Sequence, residues 1–240
     1  MLHQLALAAA PLPLAACVVV VDAAPSDGDL GVDARFAGQG RTEAGERLAA
    51  EARLDAFTMI EASAGVEVVL VPGDAHAISL DEDAQRRADY AVEDGTLRVT
   101  CRKRNGWGGN CLRGDRGTLT VTLPRAEALR ASSGAVLTLR EGVGLGEALS
   151  LRASSGGVLR AKDKASVATL DARASSGATL DARGIAVDRA EADASSGASV
   201  RLGTVRRTLD AEASSGASVS YAGTPQVERR TSSGGSVSGR

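Results

Sequence analysis

Ser-Ser-Gly occurs six times in the second half of this 240-residue chain, each time followed by Ala or Gly and then, within a few residues, by Leu or Val. A serine hydroxyl becomes a nucleophile when a neighbouring base takes its proton. That chemistry needs one privileged serine, and six equivalent ones argue against it. His76 is the only histidine beyond the N-terminal leader and stands before the repeats, and no Gly-x-Ser-x-Gly elbow is present. The other chemistry-bearing groups are charged. Four residues before each first serine stand Ala128, Ser150, Asp171, Glu191, Asp210 and Glu228; two positions on come Arg130, Arg152, Arg173, Asp193, Glu212 and Arg230. Glu191, Asp193, Asp210 and Glu212 are a weak candidate set for Ca²⁺, although the glycine-aspartate nonapeptide of calcium β-rolls is missing. The plainer expectation is a solvated, charged face that discourages aggregation.

Paired acids also serve carbohydrate-cleaving enzymes. Here Tyr90, Trp107 and Tyr221 are the only amphipathic aromatics available to build sugar subsites. No Gly-Lys-Ser/Thr follows the Gly-rich "NGWGGN", so it is not a phosphate loop. Neither a cofactor nor an enzymatic activity is expected; a carbohydrate-active β-helix enzyme is the alternative. The formal net charge of −2 provides no global field for nucleic acid, and no nucleic-acid partner is expected.

The elements that must carry these residues follow from spacing. The first serines fall at 132, 154, 175, 195, 214 and 232, separations of 22, 21, 20, 19 and 18. A period near 20 marks a solenoid in which each unit stacks on the last. Within a unit, Leu170, Ala172, Ala174, Ala178, Leu180 and Ala182 share one parity while Asp171, Arg173, Thr179, Asp181 and Arg183 share the other. Period two means strand, with one face in and one out. The expected fold is therefore all-β, a parallel β-helix or β-solenoid of about 20-residue coils, with the alternating segments from Leu54 onward continuing into it. Aromatics make up only 2% of the chain, which suits closely approaching sheets. Strict parity points Ser133, Ser155, Ser176, Ser196, Ser215 and Ser233 inward, as a structural column of hydroxyls about 4.8 Å apart, with the glycine bending the chain. An exposed terminal coil leaves an edge for pairing with another copy.

The N-terminus reads as an export signal over residues 1–23. It is apolar from Leu5 to Val21, shorter than a usual membrane span, and interrupted by Pro11 and Pro13. Two processing sites compete: "LAAC" resembles a lipoprotein box that would lipidate Cys17 and anchor the chain, and "VDA" before Ala24 resembles an ordinary signal-peptidase site. Residues 24–51 are small, polar and Gly-rich, a flexible spacer. Given export, Cys101 and Cys111, which flank Asn-Gly and Gly-Gly turn signals, are expected to form a disulfide across a hairpin loop.

One order of segments is specific in combination: "LDAFTMIEASAGVEVVLVPGD", "YAVEDGTLRV", "LTVTLP", repeated Ser-Gly-small coils, "YAGTP" and a last "SSGGSV". In this order the chain resembles, over residues 52–240, the bacterial auto-transporter adhesin head family, also called the GIN domain. The resemblance implies an exported β-solenoid of the cell envelope, in the periplasm, outer membrane or on the cell surface. It implies a structural or interaction module, adhesin-like, with a protein or glycan as external ligand and no defined catalytic residues. No membrane barrel follows the repeats, so display is expected to rest on Cys17, the leader or a partner.

Overall fold

A computed structural model describes residues 50–102 and 118–240. The leader, Cys17, most of the spacer and Cys111 lie outside the described residues. Before the repeats come β1 (Ala50–Arg53), β2 (Met59–Ala62), β3 (Glu67–Pro72), β4 (Ala77–Leu80), α1 (Glu82–Arg87), β5 (Ala88–Glu93), β6 (Thr96–Cys101) and β7 (Thr118–Leu123). The repeats contribute β8 (Arg125–Ala131), β9 (Val136–Leu139), β10 (Gly144–Ala153), β11 (Val158–Arg160), β12 (Ala165–Ala174) and β13 (Thr179–Ala182). They continue with β14 (Ile185–Ala194), β15 (Ser199–Ala213), β16 (Ser218–Ala222), β17 (Gln226–Thr231) and β18 (Ser236–Gly239). The short polar stretch after β4 is the one helix among the described residues, capped by Asp81, whose carboxylate accepts the Ala84 N–H at 2.8 Å.

The strands form two parallel stacks. In the first, β6, β2, β8, β10, β12, β14, the second half of β15 and β17 follow one another. In the second, the order is β7, β3, β9, β11, β13, the first half of β15, β16 and β18. A rung is one strand of each stack joined at a tight corner; a second corner leads to the next rung. Space and sequence disagree at the N-terminal end, where β2 and β3 lie between β6–β7 and β8–β9. The antiparallel strands β5, against β6, and β4, against β7, close that end of the parallel stacks.

The tight corner is made by Ser-Ser-Gly, in a different way from the parity expectation. Ser133, Ser155, Ser176, Ser196, Ser215 and Ser233 all have φ between 47° and 53°, and each following glycine has φ between 69° and 75°. Two successive left-handed residues make a type I′ turn, closed in the third coil by the Ala178 N–H donating to the Ser175 carbonyl at 3.1 Å. The second serines are therefore exposed turn apices, and the inward column of hydroxyls is not there. Period-two alternation holds only while the backbone is extended; at the apex the chain reverses and both central residues face outward. The ladder across coils is made by the main chain instead. The Gly156 N–H donates to the Ser176 carbonyl and the Gly177 N–H to that of Ser196, each at 3.0 Å. The same turn recurs at Ser63-Ala64-Gly65, with φ of 56° and 79° at its centre, so "ASAGV" is a degenerate copy of the repeat. β6 and β7 are separated in the sequence by residues 102–117.

The shrinking period has a location. Pairing across the tight corner stays in step on both sides of every coil, so each lost residue comes out of the second corner. One inward column narrows along the stack, Leu97, Ile60, Leu129, Leu151, Ala172, Ala192 and Ala211, all fully buried, while the column of Ala161, Ala182, Leu202 and Tyr221 in the other sheet widens. Gly184 and Gly203 mark how tight the arc becomes: a Cβ on either would lie 2.2 Å from a backbone oxygen of the coil beneath, Asp163 or Ile185. At this corner Asp181 is buried under the Arg183 guanidinium, 2.7 Å away, and Lys162, 3.6 Å away. Burial by itself would raise its carboxyl, but the Arg183 hydrogen bonds and both cations hold it below the ordinary carboxylate value.

The last rung breaks the inward pattern. Arg229 takes the place that Ala211 holds beneath it. Its guanidinium donates to the Tyr221 hydroxyl at 2.6 Å and lies 5.8 Å from the centre of that ring. An inward-pointing charge is a recognised way of blunting a sheet edge.

Candidate functional site

Beside the tight corner, the outer face of the first sheet carries a groove of about 860 Å³. Its floor and wall follow from strand parity. Residues alternating with the buried column point outward, and the same outward position on successive rungs reads Arg98, Glu61, Arg130, Arg152, Arg173 and Asp193. One step toward the corner, the first serines of the repeats form a parallel row. Ser132, Ser154, Ser175 and Ser195 line the groove, half-buried, continued by Ser63 and Thr100 at its N-terminal end. Ser63 donates to Thr100 at 3.1 Å; among the described residues, the hydroxyls of Ser132, Ser154, Ser175 and Ser195 have no hydrogen-bond partner.

The charges are shared unevenly along this row. Glu61 accepts from Arg130 at 2.6 Å and lies 3.7 Å from Arg98. Asp171 accepts from Arg173 at 2.8 Å and, end-on, from Arg152 at 3.3 Å. Arg173 also reaches Glu191 at 2.9 Å and Asp193 at 3.5 Å, and hydrogen bonding to Asp171 raises its pKa. Further along, Asp193 and Glu212 are register partners, and Arg230 binds Asp210 at 2.7 Å. Burial pushes the Asp193 carboxyl up, and Glu191, Glu212 and Asp171 add to that while Arg173 opposes it. The face is thus basic where Arg130, Arg152 and Arg173 adjoin and acidic beyond them.

The calcium set does not assemble. Among the described residues no three His, Cys, Asp or Glu side chains converge on a metal-sized site. Arg173 pairs with Glu191 and Asp193, and Arg230 with Asp210. His76 is equally committed: its Nε2–H donates to the Phe57 carbonyl at 3.0 Å and its ring packs edge-on against Phe57 at 4.8 Å. Cys101 ends β6 and is buried, while its expected partner Cys111 lies outside the described residues. The Arg130, Arg152, Arg173 row was visible in the sequence, but its acids drew the chemical reading. Arg98 and Glu61 join it only because β6 and β2 stack out of sequence order, which no repeat period encodes.

The two carboxylate residues lining the groove, Glu61 and Asp193, stand four rungs apart. At about 4.8 Å per rung that is about 19 Å; the closer acids, Asp171, Glu191 and Asp193, are gathered on the Arg173 guanidinium. The groove offers ordered guanidinium and hydroxyl groups at regular intervals, an arrangement suited to holding a ligand.

Residues 56–225 match the sequence profile of the family described as "Putative auto-transporter adhesin, head GIN domain". No curated protein matches the chain. Among solved structures, a "putative adhesin" from Bacteroides fragilis NCTC 9343 superposes with a TM-score of 0.57 at 14% identity, covering 83% of this chain and 98% of that one. A "putative adhesin" from Parabacteroides merdae ATCC 43184 gives 0.49 at 15% identity, covering 80% and 95%. The first of these similarities shows a shared fold.

Proposed function

Because the chain belongs to the auto-transporter adhesin head GIN-domain family, we propose that it is an exported cell-envelope module that holds an external ligand along its solenoid. The observation that carries this reading is the continuous groove on the first sheet, with its register-matched arginines and unpartnered serine hydroxyls. Each acid beside the groove is held by an arginine, Glu61 by Arg130 and Asp171, Glu191 and Asp193 by Arg173, which favours binding over turnover. Residues 1–23 export the chain, Cys17 lipidation or cleavage before Ala24 sets how it is attached, and residues 24–51 hold the solenoid away from the membrane. Cys101 and Cys111 pair in the oxidising compartment. The test is an array of glycans and matrix proteins probed with the solenoid, with product assays run in parallel. Binding without turnover is expected. Turnover abolished by a single acid substitution would overturn the reading in favour of an enzyme. Radiolabelled lipid incorporated by the full chain and lost in Cys17→Ala would identify the anchor; equal incorporation by both, or none by either, would refute it.

A further inference from the structure

Resting on that reading, we propose that the groove binds a linear, carboxylate-bearing polysaccharide laid along the solenoid axis, with its carboxylates on Arg130, Arg152 and Arg173. These three arginines are register partners on adjacent rungs, so their backbones lie about 4.8 Å apart. The groove lining carries four arginines, Arg98, Arg130, Arg152 and Arg173, against two carboxylates, Glu61 and Asp193. Glu61 is divided between Arg98 and Arg130, and Asp171 between Arg152 and Arg173, while Arg173 also reaches Glu191 and Asp193. Arg130 and Arg152, each sharing its one acid, are the positions where a polyanion gains most.

The guanidinium groups have donors to spare. Arg130 donates through Nη1 alone to Glu61, and Arg152 through Nη2 alone to Asp171. Each guanidinium has five N–H groups, arranged as a fork that matches a carboxylate with two parallel bonds. The existing pairs are at the surface, with the Arg130 and Arg152 side chains 50% and 45% exposed. Ion pairs in that setting are worth little, so a ligand carboxylate exchanges for them readily.

The neighbouring row narrows the ligand further. Ser132, Ser154 and Ser175 put one hydroxyl beside each arginine, and a hydroxyl both donates and accepts. A sugar ring offers hydroxyls of the same kind next to its carboxylate. Among the described residues no Trp, Tyr or Phe lines the groove, so the described lining offers guanidinium and hydroxyl groups and no ring for a neutral sugar or an aromatic hot spot to stack on. A recurring guanidinium–hydroxyl pair at fixed spacing fits a recurring polymer. Beyond Arg173 the column turns to Asp193 and Glu212, which repel a polyanion and end its footprint.

The experiment titrates the full chain calorimetrically with galacturonic acid oligomers of increasing length, with neutral dextran oligomers as the comparison. Affinity is expected to climb with length until the oligomer spans the three arginines and then level off, and to fall as salt is raised. Arg152→Ala should weaken the long oligomer about tenfold or more with an unchanged melting temperature. Arg152→Lys should restore only part of the loss, because an ammonium cannot form the fork. Length-independent binding, equal binding of dextran, or indifference to Arg152→Ala would overturn the proposal. If uronate oligomers fail while the array shows a protein or neutral-glycan partner, the polyanion assignment falls and the adhesin reading stands. If no arrayed ligand binds at all, both fall.

Discussion

Arg229 stands where every earlier rung of its column places an aliphatic side chain, and it donates to the hydroxyl of Tyr221 at 2.6 Å. The tyrosine fills the end of the core, with Gly239 on the rung above leaving room for its ring: a Cβ there would lie 3.0 Å from it. Together the two residues put a charge on the rung above Ala211. Arg229→Val should extend the apolar column to the last rung and expose it, so sedimentation velocity should show self-association absent from the wild type. Arg229→Ala should lower stability by about 1 kcal/mol through the lost hydrogen bond, measured by urea unfolding.

Ser176 tests the turn assignment. Its φ of 53° is a conformation that Asn and Gly adopt more readily than Ser. Ser176→Asn should keep or raise stability by up to about 0.5 kcal/mol. Ser176→Val should cost about 1–2 kcal/mol, since β-branched residues resist this region. A core-facing position predicts the reverse ranking, because Val there buries an apolar side chain and Asn an amide. Thermal melts of the two variants decide between them.

Asp181 sets an acid limit. Its folded pKa lies below the unfolded value of about 3.9, so its contribution is complete above that value and disappears as pH falls through the folded pKa. At neutral pH, Asp181→Asn should cost about 1–3 kcal/mol, by loss of the charge-assisted bonds from Arg183. The gap between the wild-type and variant melting temperatures should close below about pH 4. Asp193 has the opposite sign: its raised pKa means its ionised form is disfavoured in the fold, so Asp193→Asn should lose less at neutral pH than Asp181→Asn.

Gly203 should tolerate nothing larger. Its neighbour is the Ile185 carbonyl oxygen, part of a paired backbone that cannot step aside. Gly203→Ala is expected to cost about 1–3 kcal/mol, whereas Gly177→Ala meets open space and is strained only by its φ of 69°. Comparing urea midpoints of the two separates steric from conformational cost.

The solenoid was legible because its strands alternate for long enough to give parity: Leu170, Ala172 and Ala174 are buried as their spacing requires. The same rule misplaced Ser176, since parity describes extended backbone and the serine is the first of two left-handed residues. It also passed over Ala64, where the turn survives without its second serine. Of the groove, the arginine row was legible and its significance was not. Arg152 looks like one charge among many until its partners on adjacent rungs are known, and Glu61 reaches Arg130 across 69 positions of sequence.

The residue lost from the second corner at each coil has a consequence for deletions. "ASSGA" is written at Ala131, Ala174, Ala194 and Ala213. Removing residues 174–193 would keep the motif, take Gly184 away with its coil, and set a 19-residue coil directly on a 21-residue one. Those two arcs differ by two residues, where each neighbouring pair now differs by one, so identical motifs do not make the coils interchangeable.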